Sequence, residues 1–143
     1  MDHVVYLDHK SQELENLAKG QKDMIVRGAM GRKMPHGRAK PGDTLYFIRN
    51  NGEGLVKAMA KIKHVFHSEK LSPEDSQELF RQHEQRLMLD ARMTKRFSGK
   101  RYLVLIEVSE FEDIQPFEID RSKYGNMDDW LLIEDIKNIM REA

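Results

Sequence analysis

Residues 56–66 read Val-Lys-Ala-Met-Ala-Lys-Ile-Lys-His-Val-Phe. Every second residue belongs to a mostly apolar set and the residues between them are mostly basic, and this alternation is the main evidence for the predicted fold. Side chains of a β-strand point alternately to its two faces, so a two-residue period predicts a strand with one face in the core. The predicted inner face is apolar apart from one histidine and consists of Val56, Ala58, Ala60, Ile62, His64 and Phe66. We therefore expect His64 to be a hydrogen-bonded core residue.

Most of the remaining chain also favours short strands. β-branched and aromatic runs predict strands at residues 4–7, 24–26, 44–49, 101–108 and 111–119, the last one broken at Pro116. Apolar spacing predicts helices at about residues 9–19 and 73–89, with Ser72 as the cap of the second helix. Near the end of the chain we expect a short strand at 130–133 followed by a helix.

This order of elements predicts an α+β fold. It is typical of a mixed, partly closed β-barrel with about five to seven short strands and two or three packed helices. A doubly wound sheet would need regular strand–helix alternation, which is absent. One core should contain Val56, Ala58, Ala60, Ile62, Val104, Ile106 and Val108.

Length and composition narrow the class of protein. The 143 residues contain no linker or repeat, so we expect a single domain spanning residues 1–143. The chain has no cysteine, which excludes disulfides and cysteine-based zinc sites. With neither a signal-like apolar run nor a membrane-length one, the expected location is the cytoplasm, and no membrane partner is expected.

Charge is balanced overall but is polarised along the chain. The 24 basic and 24 acidic residues cancel. Residues 19–40, however, hold seven basic side chains and one acidic one, whereas residues 110–137 hold nine acidic and three basic. Basic segments of this kind can follow a phosphate backbone, although exposed charges are more often only solvated.

Residues 20–27, Gly-Gln-Lys-Asp-Met-Ile-Val-Arg, match the G-x-K-x-x-x-x-R motif of the ASCH family. Pro41-Gly42-Asp43 before Tyr46 and Phe47 is similar to that family's turn and aromatic strand. The resemblance covers residues 4–108 and leaves 109–143 as a C-terminal extension. It implies a PUA-like barrel that binds RNA or a nucleotide-like anion in a cleft near the motif, so RNA or such a ligand is the expected partner.

The resemblance and the basic loop together give the candidate ligand-binding residues: Gly20, Lys22, Arg27, Arg32, Lys33, Arg38 and Lys40. Lysine supplies a mobile point charge and arginine a rigid fork for phosphate oxygens, so Lys22 and Arg27 are expected to face one cleft. A second basic cluster, residues 95–102, carries Phe97 and Tyr102 beside its charges, where they could stack bases, although such aromatic residues more often belong to the core.

A hydrolase on the same scaffold is the alternative function. Some ASCH members are identified as amidohydrolases of acetylated cytidine and others as ribonucleases, and in an enzyme Lys22 would be the catalytic residue. The amidohydrolase group has a threonine three residues after the motif lysine, where this chain has Ile25, so binding is favoured. No cofactor is expected, and the six histidines show no metal spacing.

Overall fold

The computed structural model describes residues 1–125 and 127–141. Seven strands and three α-helices follow one another along these residues. In chain order they are β1 (Asp2–Leu7), α1 (Glu13–Ala18), β2 (Met24–Ala29), β3 (Thr44–Arg49), β4 (Leu55–His67), α2 (Pro73–Leu87), α3 (Ala91–Phe97), β5 (Tyr102–Ile119), β6 (Trp130–Ile133), a 3₁₀ turn (Ile136–Asn138) and β7 (Met140–Arg141).

The strands form one mixed sheet in the order β2-β5-β4-β3-β1-β6, with β7 added to β5. Among the described residues, β1 and β3 pair in parallel and the other strand pairs are antiparallel. The sheet curls into a half-barrel, which confirms the predicted α+β barrel class. Residues 109–119 continue β5, and β6 pairs with β1, so the stretch after residue 108 is part of the sheet.

The long pair β4–β5 forms the centre of the half-barrel. β5 runs through Pro116 without ending, contrary to the predicted break. The reason lies in the register: Val56 pairs with Phe117 and Ala58 with Asp113, so residues 114–116 fall in an irregularity of the ladder. A proline is tolerated at such a position because the ladder needs no N–H donor there.

Two predicted helices differ from the structure, and one helix was not predicted. The first helix covers only Glu13–Ala18, and the C-terminal helix is only the 3₁₀ turn before β7. The sequence analysis missed α3, whose N-cap Asp90 accepts a hydrogen bond from the Met93 backbone N–H at 2.8 Å. The predicted cap of α2 is confirmed, since Ser72 Oγ accepts from the Asp75 N–H at 3.1 Å.

Most of the predicted core is confirmed. Ala58, Ala60, Ile62, Val104, Ile106 and Val108 share one buried cluster. Val56 belongs instead to a second cluster with Val4, Ile48 and Phe117. His64 is exposed, contrary to the prediction, because the burial alternation of β4 stops after Ile62.

A third cluster joins α2 and α3 to β2 and β5 through Met24, Phe80, Phe97 and Leu103. In the described ranges, 1–125 and 127–141, no helix is long and apolar enough to cross a membrane.

Candidate nucleic-acid interface

A cavity of about 260 Å³ lies where the end of β2 meets the following loop, the end of α3 and the start of β5. We call it the basic cavity, because four cationic side chains line it: Arg27, Lys33, Arg96 and Lys100. Its aromatic and imidazole rings belong to His36, Phe97 and Tyr102, and its acidic lining residue is Asp129. Clustered cations with neighbouring rings suit a ligand that carries both phosphate and base.

Arg27 is the buried cation of this cavity, with 7% of its surface exposed. It stands on β2 opposite Val104 of β5. Its two terminal nitrogens donate to the backbone carbonyl oxygens of Val26 and Tyr6, both at 2.8 Å. Its guanidinium carbon also lies 5.6 Å from the centre of the Trp130 ring, a cation–π distance.

The third nitrogen of the Arg27 guanidinium, Nε, does not take part in these two hydrogen bonds. Among the described residues, the buried Nε has no hydrogen-bond partner, and the carboxylate of Asp129 stands 3.9 Å away. A buried charged donor without a partner is costly. This makes Arg27 Nε the strongest individual indication of a ligand atom or bridging water at the cavity.

Two further arginines border the basic cavity with aromatic contacts. Arg96 pairs with Asp129 at 3.6 Å and lies 4.9 Å from the centre of the Phe97 ring. Arg32 lies 5.5 Å from the centre of the Tyr102 ring. Both arginine side chains are more than half exposed, and each is paired with one carboxylate, Arg32 with Glu69 at 3.8 Å and Arg96 with Asp129. An anion would compete with these exposed pairs, which are weak in water.

Two histidines attach the loop after β2 to the end of β4. His67 Nδ1 accepts from the Gly37 N–H at 3.0 Å, which leaves its Nε2 to donate to the Ala39 carbonyl oxygen at 2.9 Å. His36 Nε2 donates to the Ser68 carbonyl oxygen at 2.8 Å, and its ring meets Tyr102 edge-on. The loop that carries Lys33 is thereby held against the cavity.

The fold was compared with known proteins. No family model matches the chain, and no curated protein matches it. The ASCH protein from Zymomonas mobilis matches with a TM-score of 0.68 at 11% identity, over 99% of this chain and 96% of that one. A point variant of the same protein gives a TM-score of 0.70 at 12% identity, over 96% and 93% of the two chains. The chain has the ASCH fold.

Within this ASCH fold, Lys22 lies away from the basic cavity. It is 1% exposed, its Nζ stands 3.3 Å from Glu13 Oε2, and it donates to the Leu87 carbonyl oxygen at the end of α2. Burial lowers the pKa of Lys22, an effect that Glu13 only partly offsets. The expectation that Lys22 and Arg27 face one cleft is therefore corrected, because α1 and α2 enclose Lys22 between them.

The remaining candidate residues divide into two groups. Lys33 lines the basic cavity and Arg32 stacks on its Tyr102 ring, whereas Arg38 and Lys40 are exposed and do not line it. Gly20 follows α1 with φ of 73°, as a glycine after a helix end was expected to do.

Sequence reasoning recognised the basic segment 95–102 but did not place it beside Arg27. The register of β2 on β5 joins the two, with Ala29 opposite Tyr102. Apart from its position directly before Trp130, nothing in the sequence indicated that Asp129 belongs to this site. In residues 1–125 and 127–141, no group of three or more histidine or acidic side chains is arranged to hold a metal ion.

Proposed function

We propose that this ASCH-fold chain binds RNA or a nucleotide-like anion in the basic cavity. The observation that carries the proposal is the convergence of Arg27, Lys33, Arg96 and Lys100 on one cavity of about 260 Å³ that also exposes aromatic surface. The likeness to ASCH structures supports the fold alone, so the ligand is inferred from the side chains.

Each part of the cavity suits one part of a nucleotide. The unpartnered Nε of Arg27 is a fixed donor for a phosphate oxygen, and Lys33 and Lys100 supply mobile charges. Tyr102, bordered by Arg32, offers a surface on which a base can stack. Carboxylate ligands would satisfy the cations but would leave this ring surface unused.

The proposal is tested by fluorescence anisotropy with short, labelled single-stranded RNA across a salt series. Each phosphate contact should add roughly −0.7 to the log–log slope of affinity against salt. Lys100→Ala should weaken binding and flatten the slope by about that amount. Lys137→Ala removes the same charge from the exposed 3₁₀ turn and should leave both quantities unchanged.

Two results would contradict the proposal. One is an affinity that does not vary with salt, since phosphate contacts require ion release. The other is an equal effect of Lys100→Ala and Lys137→Ala, which would indicate diffuse attraction to the surface in place of a site.

A hydrolase remains the second candidate, on the observation that burial lowers the pKa of Lys22 beside Glu13. A neutral lysine amine can act as a base. Its enclosure by α1 and α2 disfavours this role, since a substrate would have to displace the contact with Leu87. Incubating acetylated cytidine and labelled RNA with the wild type and with Lys22→Met tests it. Turnover by the wild type that is lost in a variant shown by circular dichroism to be folded would favour the enzyme.

A further inference from the structure

A second cavity, of about 210 Å³, adjoins the basic cavity. The two cavities share three lining residues, Lys33, Met34 and Asp129, so these side chains form a common wall. Beyond that wall, the second cavity is lined by Tyr124, Asp128, Trp130, Leu131 and Leu132. The two cavities are therefore immediate neighbours, and a ligand longer than one nucleotide could contact both.

The two cavities differ in charge. Of the residues that line the second cavity, the shared Lys33 is the one cation, whereas Asp128 and Asp129 are both acidic. A phosphate would be repelled there. Tyr124 and Leu132 are half-buried and supply apolar surface, whereas Leu131 is buried behind them. An uncharged aromatic group suits this lining.

We propose that the second cavity is a base subsite, which holds the nucleobase next to the nucleotide whose phosphate occupies the basic cavity. This inference rests on the proposed function. Tyr124 provides the stacking surface, because Trp130 is 4% exposed and already donates its indole N–H to His3 at 2.9 Å. Lys33 stands at the common wall, where the linking phosphate passes.

The test uses three ligands by isothermal titration calorimetry: nucleoside 5′-monophosphates, 5′-phosphorylated homodinucleotides, and the same dinucleotides with the 3′ or the 5′ base removed. The abasic compounds keep the charge of the full dinucleotide, so any difference in affinity reports the missing base. We expect wild-type protein to bind a full dinucleotide about tenfold more tightly than one of its abasic forms, the scale of one stacked base.

Tyr124→Leu keeps apolar packing and removes the ring. It should abolish that tenfold difference and leave affinity for the monophosphate unchanged. Lys100→Ala should weaken all three ligands together, because it acts on the phosphate. As a measurement that needs no variant, photocrosslinking of a dinucleotide with 5-iodouracil bases to the wild type should label the peptide that contains Tyr124.

The outcomes separate the two proposals. Suppose that RNA and monophosphates bind with an affinity that depends on salt, but that Tyr124→Leu keeps the tenfold difference and the Tyr124 peptide is not labelled. The base subsite is then wrong, while the proposed binding of phosphate in the basic cavity is retained. The same conclusion holds if full and abasic dinucleotides bind equally to the wild type. If none of the ligands binds, the proposed function fails and the subsite fails with it.

Discussion

The guanidinium of Arg27 donates to the backbone carbonyl oxygen of Tyr6 at 2.8 Å, although the two residues stand at opposite ends of the sheet order. Arg27 lies on the edge strand β2, and Tyr6 lies on β1, next to the other edge strand, β6. One side chain thus joins the two ends of the half-barrel, at the floor of the basic cavity.

Arg27→Met should therefore lower the free energy of unfolding as well as affinity for RNA. The change leaves the buried carbonyl oxygens of Tyr6 and Val26 without their charged donor, and we expect a loss of about 1.5–3 kcal/mol. Urea denaturation measures it. Arg96→Met removes an exposed charge from the same cavity and should change stability by less than about 0.5 kcal/mol. Equal stabilities of the two variants would contradict the joining role.

The contributions of Lys22 and Glu13 to the free energy of unfolding should be strongly coupled. Both side chains are almost fully buried, and Lys22 Nζ lies 3.3 Å from Glu13 Oε2. Lys22→Met alone leaves a buried carboxylate unpaired, which costs about 3–5 kcal/mol. With Glu13→Gln added, the double variant should lose clearly less than the sum of the single changes. A double-mutant cycle in urea measures this coupling, and the more accessible pair Lys57–Glu53 is the control that should show a much smaller coupling energy. Additive single changes would contradict the buried pair.

The strands were predictable because their signal is local. In residues 56–62 the side-chain period of two coincides with the burial period, so alternation alone places Ala58, Ala60 and Ile62 inside. The same rule failed at His64 because the pairing of β4 with β5 shifts register between Ile62 and His64. Beyond the shift Val65 packs against the core, whereas His64 and Phe66 are exposed. Helix α3 was missed because seven residues give too little periodicity to detect.

The candidate site was only partly predictable, because it depends on contacts distant in sequence. The partners of Lys22 are Glu13 on α1 and Leu87, which lies 65 residues further along the chain. No local pattern indicates that a lysine will be buried by such partners. Arg27 likewise meets Arg96 only through the pairing of β2 with β5 and the packing of α3, which sequence order does not reveal.

Stability should fall in mild acid because of His3. Its Nδ1 accepts from the Trp130 indole N–H at 2.9 Å, and an indole can only donate, so His3 is neutral and its Nε2 donates to Asp43 at 2.8 Å. Burial lowers the pKa of His3 despite the attraction of Asp43. The unfolded chain therefore binds a proton below about pH 6.5 that the folded chain does not, which lowers stability by up to about 1.4 kcal/mol per pH unit.

Trp130→Phe tests the cause of this pH dependence. Phenylalanine removes the N–H that opposes protonation of Nδ1, so the decline in unfolding free energy between about pH 7 and pH 5 should be shallower than in the wild type. The variant's lower stability at pH 7 is expected from the smaller ring and does not enter the comparison. Parallel pH profiles would show that His3 is not the responsible group.

Gly28 links the packing of the half-barrel to the basic cavity, and Gly28→Ala should impair both. An alanine Cβ there would lie 2.7 Å from Leu103 Cδ2, closer than side chains tolerate, and 3.3 Å from Lys100 Cβ, a tight contact that a small shift of Lys100 would relieve. Leu103 is fully buried, so the strain should cost about 1–3 kcal/mol in urea denaturation. Relief of that strain moves Lys100, which lines the cavity, so affinity for RNA should fall in the same variant.

Gly31→Ala is the matched control, because a Cβ at that position meets nothing within 4 Å. If Gly28→Ala had the same stability and the same affinity for RNA as the wild type, the position of Lys100 would not depend on its packing against β2.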